Sequence, residues 1–132
     1  MEKKKLDSVI VQLENHIECW KQFNHFLNLA RNRKFEDDDE NQFLEIKSVL
    51  AQELETILAF FEEGTPSKEE VHTLLGQAPS LRSISELNEG SVRGLENQWH
   101  KIFIGWQSIL GQLKVAQREP EKKSFFGRLF GK

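Results

Sequence analysis

Apolar residues near the C-terminal end of the chain recur alternately three and four positions apart, and this repeat constrains the fold more than any other feature. It continues for more than three heptads through Val92, Leu95, Trp99, Ile102, Trp106, Ile109, Leu113 and Ala116. Such spacing places one apolar stripe along a helix, as at the a and d positions of helical bundles and coiled coils. Phe103 and Leu110 widen the stripe, whereas Ile104 and Val115 lie outside it. We therefore expect a long helix that packs against more than one neighbour.

A second amphipathic pattern begins close to the N-terminus. Its apolar positions recur with a seven-residue period and continue through Leu6, Val9, Ile10, Leu13, Ile17, Trp20, Phe23, Leu27 and Ala30. The pattern predicts a helix of about seven turns. The cations between Arg31 and Lys34 suit the negative pole of a helix dipole, so we expect the helix to end there.

The middle of the chain predicts one more long helix. Its apolar face consists of Phe43, Ile46, Leu50, Leu54, Ile57, Leu58 and Phe61. Acidic residues precede it, and Asp39 with Gln42 has the spacing of a capping box at the helix start. Gly64 followed by Pro66 is the expected stop.

Two short helical segments follow. Ser67 and Glu70 form a predicted capping box for a helix that ends at Gly76 and Pro79. Its apolar residues are Val71, Leu74 and Leu75. Residues 80–90 place Leu81, Ile84 and Leu87 at helical spacing, with Ser83 and Glu86 as a second box. They predict another short helix or the lead-in to the last one, and Gly90 leaves that boundary open.

These patterns predict an all-α fold, an antiparallel helical bundle of three long helices plus one or two short helices with a short C-terminal amphipathic tail. At 132 residues the chain has the length of one domain. We assign residues 1–119 to the bundle and residues 120–132 to the tail, because Pro120 ends or hinges the last helix.

Charge and composition exclude several classes of protein. The net charge is −3, but both ends are basic and the middle is acidic, which argues against nucleic-acid binding by the main surface. The longest uncharged apolar run has twelve residues, from Ile102 to Leu113, and a membrane-spanning helix needs about 20. No secretory signal is recognisable. The lone cysteine, Cys19, excludes an internal disulfide and fits a reducing compartment. We expect a cytoplasmic, soluble protein.

The residues that most often carry chemistry lack the spacing that chemistry requires. No two of the four histidines lie three or four residues apart, as helical metal ligands would. His16 falls in the apolar row of the first helix and is expected to be a buried histidine bonded to a neighbour. Cys19 lies three residues on, in mid-helix and beside Glu18, where a small buried hydrophobe is the better interpretation than a nucleophile. We predict no catalytic, cofactor-binding or metal-binding residue and no small-molecule substrate.

Two further features have a structural interpretation as well as a functional one. Residues 36–40 are all acidic but lack the alternation and central glycine of a calcium loop, so a capping turn is favoured over a docking site for a basic partner. Trp20, Trp99 and Trp106 lie on the apolar rows and are expected to fill the core, although an aromatic ligand pocket is an alternative.

Gly105 and Gly111 weaken the last helix, and close packing against another helix would offset that loss.

The C-terminal segment EKKSFFGRLFGK is the strongest functional signal. If Ser124 caps a helix, the phenylalanines and the leucine share one face and cations flank it, as in a helix that lies on a membrane surface. The predicted docking residues are Lys122, Lys123, Phe125, Phe126, Arg128, Leu129, Phe130 and Lys132. The pattern FFxRLFG after a lysine pair is similar to membrane-proximal tails of many bacterial proteins, and this resemblance covers about eleven residues of the chain.

The energetics predict weak, reversible attachment by this tail. Burying four large apolar side chains gains roughly 6–12 kcal/mol, and four cations near an anionic leaflet add about 1 kcal/mol each. Ordering about eight residues costs roughly 8–16 kcal/mol. Because these contributions nearly cancel, the tail needs several copies or a second contact.

Three destinations for the tail remain open: an anionic membrane surface, a hydrophobic groove on a partner protein, or the bundle itself. In an up-down-up-down arrangement of four helices, Lys3, Lys4 and Lys5 would share a pole with the tail, which favours an anionic surface. An odd number of long helices would separate them.

The sequence thus predicts a non-enzymatic adaptor or scaffold that docks to an anionic membrane surface or a protein partner through its tail, peripheral at the inner face of a membrane. Self-association through the wide apolar arc of the last helix is a further expectation. The alternative is a small helical chaperone or regulator that binds a partner's amphipathic helix in a groove of the bundle.

Overall fold

The first helix, α1, spans Lys3–Arg31 in a computed structural model that describes residues 3–61 and 66–118. Every member of the predicted apolar row is buried, and Phe26 joins it. The helix ends as its cations predicted. Arg33 adopts the left-handed conformation, with φ of 56°, and the N–H of Lys34 returns to the carbonyl of Leu29 at 2.9 Å. This end resembles a Schellman motif in which an arginine occupies the usual glycine position.

The second helix, α2, spans Asp37–Leu58. Its N-cap is Glu36, whose backbone N–H donates to Asp39 at 2.9 Å. The predicted box of Asp39 with Gln42 is therefore wrong, because the box lies three residues earlier; Gln42 instead donates to Asp38. The helix also ends before the predicted stop. Tight turns follow it, with Phe60 N–H bonded to the Ile57 carbonyl at 3.0 Å, and Gly64 lies outside the described residues.

Two short helices return the chain along the body. Helix α3, Lys68–Gln77, begins with the predicted box, in which Ser67 accepts from the N–H of Glu70 at 3.0 Å. Helix α4, Leu81–Ser85, begins with a box of Ser80 and Ser83. The predicted box of Ser83 with Glu86 is wrong, because Ser83 closes this earlier box and Glu86 lies at the helix end.

The last helix, α5, spans Glu89–Arg118. Asn88 caps it by accepting the N–H of Ser91 at 2.8 Å, so Gly90 lies inside the first turn. Seven of the eight residues of the predicted stripe are buried, and Trp99 is half-buried. The described residues contain these five helices and no strand, which confirms the all-α class.

Close packing was predicted at two glycines of the last helix, Gly105 and Gly111, and their surroundings differ. A methyl group at Gly105 would lie 3.0 Å from a ring carbon of Pro66, so the close packing there is against a loop and not against another helix as predicted. The same group at Gly111 would meet no described atom within 4 Å. The packing expected at Gly111 is therefore wrong.

Helix α1 is the centre of the fold and contacts α2, α4 and α5. Its contacts with α5 run in reverse order along the two helices, from Asp7 with Gln117 to Arg31 with Glu96. Its contacts with α2 also run in reverse, from His16 with Glu53 to Phe26 with Phe43. One apolar core lies between these helices and α3.

Candidate functional site

The eight predicted docking residues lie outside the described residues, because the last described residue is Arg118, at the end of α5. The structure does describe the part of the body from which the tail follows in sequence. There, Gln117 donates from Nε2 to Oδ1 of Asp7 at 2.7 Å. One turn earlier in α5, Lys114 pairs with Glu14 at 3.0 Å. The start of α1 and the end of α5 therefore lie side by side.

Cations gather at this end of the body. Lys3, Lys4 and Lys5 are exposed on the first turn of α1, and Arg118 is exposed on the last turn of α5. The ammonium of Lys5 lies 5.7 Å from the centre of the Phe60 ring, a distance at which a cation–π attraction operates. We call the group of Lys3, Lys4, Lys5, Phe60 and Arg118 the basic pole.

We expected the start of the first helix and the end of the last helix to share a pole only if the number of long helices was even. This expectation was wrong: α1, α2 and α5 are three long helices, yet α1 begins where α5 ends. The reason is the short pair α3 and α4. Lys68 pairs with Glu55 near the end of α2, whereas Glu40 near the start of α2 binds the backbone of Leu81. The short pair thus covers the length that a fourth long helix would.

A buried polar cluster occupies the middle of α1. His16 is fully buried, and its Nδ1 lies 2.9 Å from Oε1 of Glu53. Its Nε2 accepts the indole N–H of Trp20 at 3.1 Å. The ring is therefore the neutral tautomer with its proton on Nδ1. It makes an edge-to-face contact with Trp106, with ring centroids 5.5 Å apart. Burial lowers the pKa of His16, and the hydrogen bond and charge of Glu53 oppose part of that effect. The predicted buried histidine is confirmed.

Cys19 lies beside the same carboxylate. Burial raises the pKa of its thiol, and the nearby charges of Glu53 and Glu18 raise it further. The thiolate needed for nucleophilic attack is thus disfavoured. His16 is no base for it either, because both ring nitrogens are already bonded to Glu53 and Trp20. The cluster has the geometry of a structural network that joins α1 to α2.

The acidic run caps a helix. Asp37, Asp38, Asp39 and Glu40 form the first turn of α2, where the helix dipole favours negative charge. Glu40 also accepts the backbone N–H groups of Leu81 at 2.8 Å and Arg82 at 3.1 Å, and so holds the first turn of α4. Across residues 3–61 and 66–118, no group of three or more His, Cys, Asp or Glu side chains is arranged to hold a metal ion.

The tryptophans divide into two kinds. Trp20 and Trp106 are fully buried, as expected of core residues. Trp99 is half-buried; its ring stacks on Phe103 with centroids 4.7 Å apart, and its indole N–H donates to the backbone carbonyl of Trp20 at 2.8 Å. None of the three tryptophans lines the cavity between α3 and α5 or the two cavities between α1 and α2.

A groove lies between α3 and α5. Its volume is about 300 Å³, and it is lined by Glu69, Glu70, Thr73, Gln98, Lys101 and Ile102. Lys101 bridges the groove to Glu70 at 3.2 Å, and this pair lowers the pKa of Glu70. The side-chain oxygen of Gln98 is buried and accepts no hydrogen bond within the described part of the chain. The groove extends over little more than one turn of α5.

Two contacts between distant residues were not predicted from the sequence. Glu53 binds His16, 37 positions away, and nothing in its local sequence distinguishes it from other surface glutamates. Glu40 belongs to the acidic run that the sequence singled out, but its bonds to Leu81 and Arg82, 41 and 42 positions away, were not predicted. The histidine in an apolar row signalled that a partner exists but not which one.

No described helix combines the length and the apolar character needed to cross a bilayer. Comparisons with protein-family models, curated proteins and solved structures found no match to this chain.

Proposed function

We propose that the chain is a non-enzymatic helical adaptor or scaffold that docks through its C-terminal tail onto an anionic membrane surface or a partner protein. In this proposal the body is an antiparallel bundle of three long helices, residues 1–119, and residues 120–132 form the amphipathic tail. The protein would work in the cytoplasm, peripheral at the inner face of a membrane, and self-association through α5 would add further copies of the tail.

The observation that carries the proposal is the contact between Asp7 and Gln117 at 2.7 Å. It brings the lysines of α1 to the end of α5 from which the tail follows. A tail whose binding energy nearly cancels its ordering cost requires a second contact. The basic pole supplies one within the same molecule, and its exposed cations suit an anionic surface.

The rest of the described surface has few exposed apolar residues with which a large partner could make contact. Its exposed large apolar residues are few and lie on different elements: Val11, Leu44, Leu87 and Ile104. Scattered apolar residues of this kind are normal on a globular surface. This distribution gives the described surface no apolar cluster comparable to the four large apolar residues in the tail sequence.

The groove between α3 and α5 favours the second candidate, a chaperone or regulator that holds a partner's helix. Its floor includes Ile102, and its volume of about 300 Å³ is at the lower end of typical ligand pockets. An amphipathic helix inserts side chains over two turns or more. Because the groove is shorter than that, we favour the tail as the docking element.

Vesicle co-sedimentation tests the proposal. The full chain is compared with a chain stopped after Glu119, on vesicles of phosphatidylserine and phosphatidylcholine in equal parts and on phosphatidylcholine alone. We expect the full chain to sediment with the anionic vesicles and the shortened chain to remain in solution. Equal binding by both chains, or none by either, would remove the membrane interpretation and leave a protein partner.

A full-length variant separates the tail's apolar residues from its length. Phe126→Ser with Phe130→Ser should abolish sedimentation while the tail charge is unchanged. The matched control is Val11→Ser with Ile104→Ser, because these residues are 55% and 47% exposed on the body. We expect the control to bind as the parent does. Circular dichroism checks that both variants retain the helical content of the parent.

A further inference from the structure

The two ends of the body carry opposite charge. The basic pole presents three exposed lysines and Arg118. At the other end, α1 finishes at Arg31, α2 begins after Glu36, and α5 begins at Glu89. Five consecutive acidic residues, 36–40, lie there, and the nearby cations Arg31, Arg33 and Lys34 offset part of their charge. We call residues 36–40 with Glu89 the acidic pole.

The long helices set the distance between these poles. Helix α1 has 29 residues and α5 has 30, and a helix rises 1.5 Å per residue, so each is about 45 Å long. The field of a charged surface decays over a Debye length of about 8 Å at physiological ionic strength. Only the pole next to a charged surface therefore interacts with it strongly.

The cations of the basic pole are available for such a contact. Lys3, Lys4 and Lys5 precede the carboxylate of Asp7, and Asp7 already accepts a hydrogen bond from Gln117. Lys5 lies over the Phe60 ring, which leaves its charge unneutralised. At the far end Arg31 is paired with both Glu89 and Glu96. Arg33 and Lys34 are exposed there, so that end carries cations of its own beside the acidic run.

We infer that the basic pole is the face that contacts an anionic lipid bilayer, and that the body stands on the membrane end-on, with α1 and α5 close to the membrane normal. The inference rests on the proposed function and extends it: Lys3, Lys4 and Lys5 are the second contact that the tail requires. The acidic pole then faces away from the membrane, where repulsion from the lipid headgroups is weakest.

The lysines are tested in the full chain with Lys3→Gln, Lys4→Gln and Lys5→Gln combined. A cation close to an anionic leaflet contributes roughly fivefold to affinity, so the triple variant should bind the equal mixture of phosphatidylserine and phosphatidylcholine about 100-fold more weakly. The matched control is Lys21→Gln, Lys34→Gln and Arg93→Gln, which removes the same charge from exposed positions away from the pole. We expect the control to lose less than about threefold.

Neutron reflectometry on a supported bilayer of the same composition tests the orientation. An end-on body gives a protein layer about 45 Å thick, whereas a body lying on its side gives roughly 20–25 Å, about two helix diameters. The end-on thickness for the parent supports the inference, and the thin layer overturns it.

The outcomes separate the two proposals. If the full chain binds vesicles but the lysine variant and the control weaken equally, the basic pole is not a contact and only the tail proposal stands. If the full chain binds neither bilayer, the membrane arm of the proposed function fails, and the end-on inference fails with it.

Discussion

The indole N–H of Trp99 donates a hydrogen bond of 2.8 Å to the backbone carbonyl of Trp20. The indole N–H of Trp20 donates in turn to His16, and His16 bonds to Glu53 on α2. One continuous chain of polar contacts therefore joins α5 to α1 and α1 to α2. These hydrogen bonds require specific directions and distances, unlike the apolar contacts around them. They therefore fix how the three long helices are positioned along one another.

Replacing Trp99 with phenylalanine tests the hydrogen bond between Trp99 and the backbone carbonyl of Trp20. The variant loses the hydrogen bond and part of the stacked ring, and we expect the free energy of unfolding in urea to fall by about 1–2 kcal/mol. Phe103→Leu is the control, since it trims the stacking partner and leaves the hydrogen bond in place. A larger loss for the control than for Trp99→Phe would show that stacking, and not the bond to Trp20, matters here.

The buried histidine predicts a loss of stability in acid. Burial lowers the pKa of His16 from its ordinary 6.5, so the unfolded chain binds a proton that the folded chain refuses. The stability gained is present above the unfolded-state pKa of 6.5 and is lost as the pH falls from there through the lowered pKa of the folded chain, with a slope of up to about 1.4 kcal/mol per pH unit. Protonation would also place an N–H on Nε2, facing the N–H of Trp20. Urea unfolding between pH 8 and pH 5 measures the effect.

His16→Gln should flatten that pH profile, at the cost of lower stability at neutral pH. His25→Gln is the matched control, because His25 is exposed and lies outside the cluster. Its profile should follow that of the parent. A parent whose stability is constant from pH 8 to pH 5 would contradict the buried neutral histidine.

The two glycines of α5 predict opposite outcomes for the same substitution. Alanine at Gly111 meets no described atom, so Gly111→Ala should stabilise the protein by about 0.5–1 kcal/mol through helix propensity alone. Alanine at Gly105 meets Pro66 at 3.0 Å, and the stiff proline ring should cancel that gain. Thermal unfolding of the two variants decides the matter, and equal stabilisation would show that the loop at Pro66 yields freely.

Arg33 occupies a backbone conformation that suits glycine. With φ of 56°, an arginine there carries a strain of order 1 kcal/mol. Arg33→Gly should therefore stabilise the fold by about 0.5 kcal/mol after the added freedom of the unfolded chain is subtracted. Asn32→Gly, one residue earlier, provides the contrast and should stabilise nothing. Destabilisation by Arg33→Gly would mean that its side chain contributes more than its backbone costs.

Glu40 predicts a local effect on α4. Glu40→Ala removes the acceptor for the N–H groups of Leu81 and Arg82, and the loss of such a cap costs about 1–2 kcal/mol. Amide hydrogen exchange at these two positions should accelerate. Glu45→Ala, on the exposed face of the same helix, should leave both amides protected; if it accelerates them equally, the cap is not the cause.

The sequence predicted the helices well because burial repeats along each of them. The row from Leu6 to Ala30 is buried throughout. A seven-residue period places its apolar residues on one face of the helix, and that face is stable only when it packs against the core. The helix ends were harder. Several acids near Asp39 are equally good caps locally, and the choice of Glu36 depends on where the preceding turn directs the chain.

The contacts between distant elements were not predictable from spacing. His16 signalled a buried partner, but Glu53 lies on another helix, and its identity depends on how α2 aligns with α1. The shared pole was expected only for an even number of long helices, because that expectation depended on the number of long helices and not on the distance that α3 and α4 cover together. The tail remains the part of the candidate site whose role rests on sequence alone.

The contact between Asp7 and Gln117 joins residues 110 positions apart, and this has a consequence for biosynthesis. Helix α1 leaves the ribosome before the other described helices, yet its partner α5 is the last of them to be made. Until then the apolar face of α1 has only part of its covering, and a nascent chain that stops before α5 would expose Trp20 and its neighbours to chaperones and proteases. We expect folding to be completed only after translation has passed α5.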